Sequence, residues 1–249
     1  MIVLHPMHVG ILIIGSLYWR EGERENWRKS RLEVGENLSD FLVTAPIRYG
    51  RRSQSGTYTM VFSSRAPVGQ ARVVRCRNDA QTANNLIDEA LHLWKAESPS
   101  ATFGSVSASW GCVALLVNPD SRLPPDILAA WARFVRRQPD HGNIPTPQGE
   151  GTLVDGSGVL HLPWPQVLGP QPSPVSLDLL LATAAHPTLE GHPPAFASAW
   201  QIAEAWGRDV GDAVEYFRRN REHGIRTFED EIILRELRTS FPTKAAGIV

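Results

Sequence analysis

Leu86, Ala90, Leu93 and Trp94 recur at spacings of four, three and one, the period of one helix face. They predict a helix from Leu86 to Glu97, stopped by Ser98-Pro99 because a residue ahead of proline is pushed out of helical conformation. Glu97 continues that face, since eleven residues at about 100° each make roughly three turns. Asp88 and Lys95 fall well round the helix. A carboxylate on a core-facing stripe is costly unless it is paired or does chemistry; a last-turn glutamate that swings into solvent is the plain alternative.

Upstream, Val9 to Ile14 is an unbroken apolar run rich in β-branched residues, which predicts a strand buried on both faces and broken by Gly15-Ser16. The charged stretch Arg20–Lys29 gives way to Arg31–Val34, whose alternating polarity predicts a strand. Phe41–Arg48, Gly56–Phe62 and Gln70–Arg75 read as further strands, with a basic turn at Tyr49–Ser53 and helix caps at Asn78-Asp79. Gly111–Val117 is another apolar strand. Pro124-Pro125 opens a helix through Ile127, Ala130, Trp131 and Phe134, with Arg133, Arg136 and Arg137 on its exposed side.

Residues 139–194 contain eleven prolines and many glycines. Only Thr152–Val154 and Val159–Leu162 read as paired, in a hairpin across Asp155–Gly158. Leu160, Trp164, Val167, Leu177 and Leu179–Leu181 argue against disorder, so 139–195 is expected to be an arm or insertion wrapped over a core formed by 1–138. Residues 196–249 are expected to be helical and packed on that core. Ala199, Trp200, Ala203 and Trp206 share a face, and Val210, Ala213, Val214 and Phe217 continue it to a stop at His223-Gly224. Thr227 and Asp230 form an acidic variant of the capping box for a last helix with Ile232, Ile233 and Leu237.

At 249 residues and a net charge of -1, the chain buries a full core and offers no global attraction to nucleic acid or anionic membrane. Small molecules or proteins are the expected partners. Cys76 and Cys112 show no paired or zinc-type spacing. The run Val9–Leu17 has no basic region before it and is too short for a membrane span, so a reduced, cytoplasmic chain is expected. Gly15-Ser16-Leu17, at the carboxyl end of a buried strand, is a place where backbone N–H groups can hold an anion. Ser16 lacks the GxSxG context and local base of a nucleophile. His186 with His192, and Asp140-His141, read as surface turns rather than metal ligands. Arg48, Arg51 and Arg52 flank a turn and offer a partner for a carboxylate.

The order of these pieces resembles the ChaC family of γ-glutamyl cyclotransferases. The matching residues are Ile14–Trp19 (a Gly-Ser-Leu loop after an apolar strand), Trp27-Arg28, Arg48–Arg51, Gly56-Thr57, Gly69–Arg72, Leu93–Glu97 (Leu-Trp-Lys-x-Glu) and Ala114–Pro119, with a weaker echo in Glu215–Phe217 and Gly224-Ile225. The resemblance covers about half the chain, chiefly residues 9 to 120. It implies an α+β fold, a small mixed β-barrel flanked by helices. It implies a γ-glutamyl substrate, glutathione or another γ-glutamyl amide, held by Ile14, Gly15, Ser16 and Leu17 with Arg48, and no metal or cofactor. Glu97 is the implied general acid/base: it takes a proton from the substrate's α-ammonium, the freed amine attacks the γ-carbonyl, and 5-oxoproline leaves. Three departures stand out. The family's Tyr before Gly-Ser-Leu is Ile14, Ser98-Pro99 replaces the Gly/Tyr-rich segment after Glu97, and the arm from residue 139 has no counterpart. A non-catalytic member of the same fold, binding a small carboxylate or a protein, is the alternative.

Overall fold

The structure, a computed structural model, describes residues 6–34, 39–53, 55–100, 104–138, 147, 150–187, 195–208 and 212–246. In chain order the elements are β1 (Val9–Ile13), α1 (Glu23–Arg31), β2 (Asp40–Arg52), β3 (Tyr58–Phe62), β4 (Val68–Arg75), α2 (Ala83–Glu97), β5 (Ser107–Ala108), β6 (Gly111–Val117), α3 (Pro125–Val135), β7 (Gln166–Val167), β8 (Ser173–Pro174), β9 (Leu179–Ala185), α4 (Ala199–Arg208), α5 (Asp212–Glu222), α6 (Asp230–Ser240) and α7 (Pro242–Ala245).

The strands form one nine-stranded sheet in the order β5-β6-β9-β1-β4-β2-β7-β8, with β3 paired to β2. β1 runs parallel to β9 and antiparallel to β4, so the sheet is mixed and the fold is α+β. Among the described residues the sheet does not close, so the expected small barrel is not confirmed. The sheet stays open because two-residue strands, β5 and β8, end it, and the thirteen-residue β2 divides its pairing. Its first half pairs with β4 and its second half with β3.

β1 is buried throughout and divides two cores, as its continuous apolar run requires. Val9, Ile11 and Ile13 pack with Leu86, Leu93, Trp94 and Trp131 of α2 and α3. Leu12 faces the other core, which holds Ile202, Trp206, Phe217, Ile233 and Leu237 of the C-terminal helices. The predicted helix over Leu86–Glu97 lies within α2. Its N-cap is Thr82, boxed with Asn85, and not Asn78-Asp79; the Asp79 carboxylate is taken by His8 and Arg75. Among the described residues, no helix is long and apolar enough to cross a membrane.

Two expectations are corrected. Arg31–Val34 is not a strand: Arg31 ends α1, and Leu32 makes a single bridge to Cys76. This helix is specified by charge rather than by an apolar period, with Glu23 and Glu25 in its first turn and Arg28, Lys29 and Arg31 in its last, each sign matching the helix dipole. The proline-rich stretch is not an arm laid over a finished core either. It supplies β9, which lies between β1 and β6 in the middle of the sheet. Its short hairpin does turn at Asp155–Gly158, where Val154 bridges Leu160 and Gly158 takes φ 77°.

The C-terminal helices reach the sheet through buried acids. Glu229 accepts from Arg48 Nη2 at 2.6 Å and from the Tyr49 N–H at 3.0 Å. Asp230 Oδ1 accepts from the Thr227 N–H at 3.0 Å and its hydroxyl at 2.6 Å, the acidic half of the predicted box. Asp230 is 3% exposed, and its Oδ2 has no hydrogen-bond partner among the described residues. Burial pushes its carboxyl up from 3.8 to about 6. The folded chain therefore keeps a proton that the unfolded chain has lost between about pH 4 and pH 6, so this group favours folding below pH 4 and loses that contribution as pH rises through 6. Asp230→Asn keeps the Oδ1 acceptor without the buried charge. Urea unfolding at pH 7.5 is expected to find the variant more stable than the parent by about 2 kcal/mol, with the gap closing by pH 4; an equal gap at both pH values contradicts this account.

Candidate functional site

β1 hands the chain to a tight turn. The Tyr18 N–H donates to Gly15 O at 3.0 Å, and those of Trp19 and Arg20 donate to Ser16 O at 3.3 and 2.8 Å. The N–H groups of Gly15, Ser16 and Leu17 have no partner among the described residues, and all three residues line a cavity of about 130 Å³. Arg28, buried on α1, fixes the loop from behind by donating to Leu17 O at 2.6 Å and Arg20 O at 2.8 Å. Burial lowers the pKa of this guanidinium.

Glu97, the last residue of α2, lines the same cavity. Arg24 of α1 joins it to the loop: Nη2 lies 3.1 Å from Glu97 Oε2, Nη1 donates to Ser16 Oγ at 2.8 Å, and Nε donates to Ala96 O at 3.4 Å. The contact with Glu97 is ionic but not a hydrogen bond, and Glu97 Oε2 is buried without a hydrogen-bond partner among the described residues. Glu89, two turns earlier on α2, is the useful contrast. It is 4% exposed and held by two hydrogen bonds from Arg31, at 2.7 and 3.1 Å; burial still keeps its carboxyl above the ordinary range. Glu89 is saturated by its arginine, whereas Glu97 retains acceptor capacity toward the cavity.

The other walls come from distant segments. A bulge between Tyr49 and Arg51 inserts Gly50 into β2 and takes Arg51 off the face that carries the buried Tyr49. Arg51 enters the cavity with its guanidinium carbon 5.0 Å from the centre of the Trp110 ring, which is stacked on Trp94 at 4.9 Å. Thr183 and Ala185, small residues at the end of β9, leave the space open. Tyr216 of α5 closes the base; its hydroxyl accepts from the Met60 N–H at 3.2 Å, and burial pushes its pKa up to about 12, so it stays protonated.

Of the residues predicted to form the site, Ile14, Gly15, Ser16, Leu17 and Glu97 share the cavity. Arg48 does not line it. Its guanidinium pairs with Glu229 and lies 4.2 Å over the Phe196 ring, and Arg51 of the same basic turn is the one that enters. Arg24, Trp110 and Tyr216 are site residues that the sequence reading did not select. Arg24 left one signal: Arg24 and Arg31 are seven apart, Glu89 and Glu97 eight apart, the spacing at which two antiparallel helices meet twice. Among the described residues no His, Cys, Asp and Glu cluster could hold a metal ion; His192, Asp140 and His141 lie outside the described residues.

Gly15 has a steric reason to be glycine. A Cβ there would lie 2.6 Å from the Tyr216 hydroxyl but 3.5 Å from its nearest ring carbon. Gly15→Ala is expected to cost about 1–3 kcal/mol by overpacking, and Tyr216→Phe about 1–3 kcal/mol by stranding the Met60 N–H. The double variant should lose less than the sum of the two, because the phenyl ring admits the methyl group. Denaturant midpoints measure this, and strict additivity would show that the two residues do not meet.

No family model, curated protein or solved structure matches this chain.

Proposed function

We propose that this chain is a γ-glutamyl cyclotransferase of the ChaC kind, releasing 5-oxoproline from glutathione or another γ-glutamyl amide. The observation that supports it is the convergence of two things in one cavity. They are an under-bonded carboxylate, Glu97, and a loop, Gly15–Leu17, whose amides lack partners among the described residues.

In this reading the loop amides hold the γ-glutamyl α-carboxylate, which sets the α-ammonium beside Glu97. Glu97 accepts one proton from it. The freed nitrogen attacks the γ-carbonyl carbon and the new C–N bond closes the five-membered ring; Glu97 gives its proton to the departing amine as the scissile amide bond breaks, and the second proton, shed by the ring nitrogen, passes to that amine, which leaves as an ammonium ion beside 5-oxoproline. Arg24 holds Glu97 and Ser16 in fixed relation through one guanidinium. The hydroxyl lost where Ile14 replaces the family's tyrosine has a substitute nearby, since Tyr216 brings a protonated phenol to the same loop. The reaction draws on no metal or cofactor. A cytoplasmic setting agrees with two free cysteines.

The test is release of 5-oxoproline from a panel of γ-glutamyl amides by the parent protein and by Glu97→Gln. The parent is expected to turn over at least one amide, and the variant to be slower by about 10²–10⁴-fold, the usual worth of a general acid/base. Equal rates in the two proteins, or no release by either, would overturn the reading. Binding of γ-glutamyl amides without turnover would favour a carboxylate-binding member of the same fold.

A further inference from the structure

The cavity carries more positive charge than one carboxylate needs. Arg20, Arg24 and Arg51 line it against a single acid, Glu97. Arg24 is already engaged by Glu97, Ser16 and the Ala96 carbonyl. Arg51 is not. Its guanidinium makes no hydrogen bond to a described residue and lies over the Trp110 face. The charged groups that bear on it are Glu97, which attracts it, and Arg24, which repels it. Burial lowers its pKa, yet a guanidinium stays charged in proteins and presents five donors in a fixed fork. Arg51 is half-buried, and none of its nitrogens is both sealed from water and unbonded, so its donors stay open to an incoming ligand. A partner that accepts two parallel hydrogen bonds, a carboxylate above all, matches that fork.

From this geometry we propose that the cavity takes a ligand bearing two anionic groups, one held by the Gly15–Leu17 amides and the second by Arg51 against Trp110. The first half rests on the loop-amide reading given above. The second half is new, and it makes Arg51 the residue that distinguishes a ligand with a carboxylate at its far end from one without. The stack gives Arg51 a fixed seat: Trp94, one turn before Glu97 on α2, supports Trp110, and Trp110 supports the guanidinium. The two anion sites therefore rest on separate elements, the loop on β1 and the arginine on the β2 bulge, so a ligand of defined span is selected.

The span is read by calorimetric titration of succinate, glutarate and adipate, each beside the monocarboxylate of equal chain length, into the parent protein and into Arg51→Gln. At least one diacid is expected to bind the parent about tenfold or more tightly than its monoacid, the worth of one added charge-assisted contact. In Arg51→Gln that preference should fall to within about twofold. Arg51→Lys, which keeps the charge but not the fork, is expected to restore part of the preference and serves if the glutamine variant does not fold. Equal binding of every diacid and its monoacid by the parent overturns the proposal, as does a diacid preference that survives in Arg51→Gln. Because none of these acids is a γ-glutamyl amide, the result is independent of 5-oxoproline release. A parent that binds diacids through Arg51 but releases no 5-oxoproline keeps this inference and loses the cyclotransferase reading; release without diacid preference does the reverse.

Discussion

The site depends on how α1 lies against α2. The two helices run antiparallel and meet through two arginine–glutamate pairs, Arg31 with Glu89 at one end and Arg24 with Glu97 at the other. A buried ion pair adds little net stability, but breaking one by removing a partner strands a charge and costs roughly 3–5 kcal/mol. The Arg31–Glu89 pair, doubly hydrogen-bonded, behaves as a fixed peg. It sets the register of α1 so that Arg24, two turns back, falls at the end of α2, where the helix meets the Gly15–Leu17 loop. The second pair is looser because its task is different: it keeps a carboxylate in place without using up its oxygens.

The cavity is assembled from segments with no sequence proximity: the loop after β1, the bulge of β2, the end of α2, Trp110, the small residues closing β9 and Tyr216 on α5. Two local irregularities aim these groups. The bulge turns Arg51 inward, and the absence of a side chain at Gly15 lets the Tyr216 hydroxyl sit on the loop. Arg28 completes the arrangement by tying down two loop carbonyls, which leaves the loop amides as the groups without a partner among the described residues. The result is a basic, partly enclosed space with one acid at its edge, a charge balance suited to anions.

Much of this was legible in the chain because periodicity reports burial. β1, β6 and the interior of α2 lie where their apolar patterns put them, and Glu97 stood out as an acid on an apolar face. Glu89 lies on the same face, three residues after Leu86, but its partner is not legible, because Arg31 sits in a stretch whose polarity alternates like a strand's. α1 was illegible for a matching reason: Trp27 is its one large apolar residue, so nothing in it repeats at helical period, and its stability comes from charge placement and from α2. Arg48 and Arg51 were equivalent as sequence, since alternation alone cannot announce a bulge. β9 was hidden by its neighbourhood, seven apolar and small residues after a proline-rich run, and its place inside the sheet is set by pairing partners more than sixty residues away.

The position of β9 bears on the order in which the molecule is made. β1 leaves a ribosome well ahead of β9; β4 pairs with one side of it, and its other edge stays open until residues 179 to 185 emerge and insert beside it. While the residues between β1 and β9 are made, the nascent chain thus carries an exposed apolar strand edge, a template for unwanted pairing, and both cores lack one wall. The loop at Gly15–Leu17 waits longer still, for Tyr216 of α5. A cavity built from segments spread between residues 13 and 216 exists only once the sheet is complete around β1, which makes binding competence and completed folding one event.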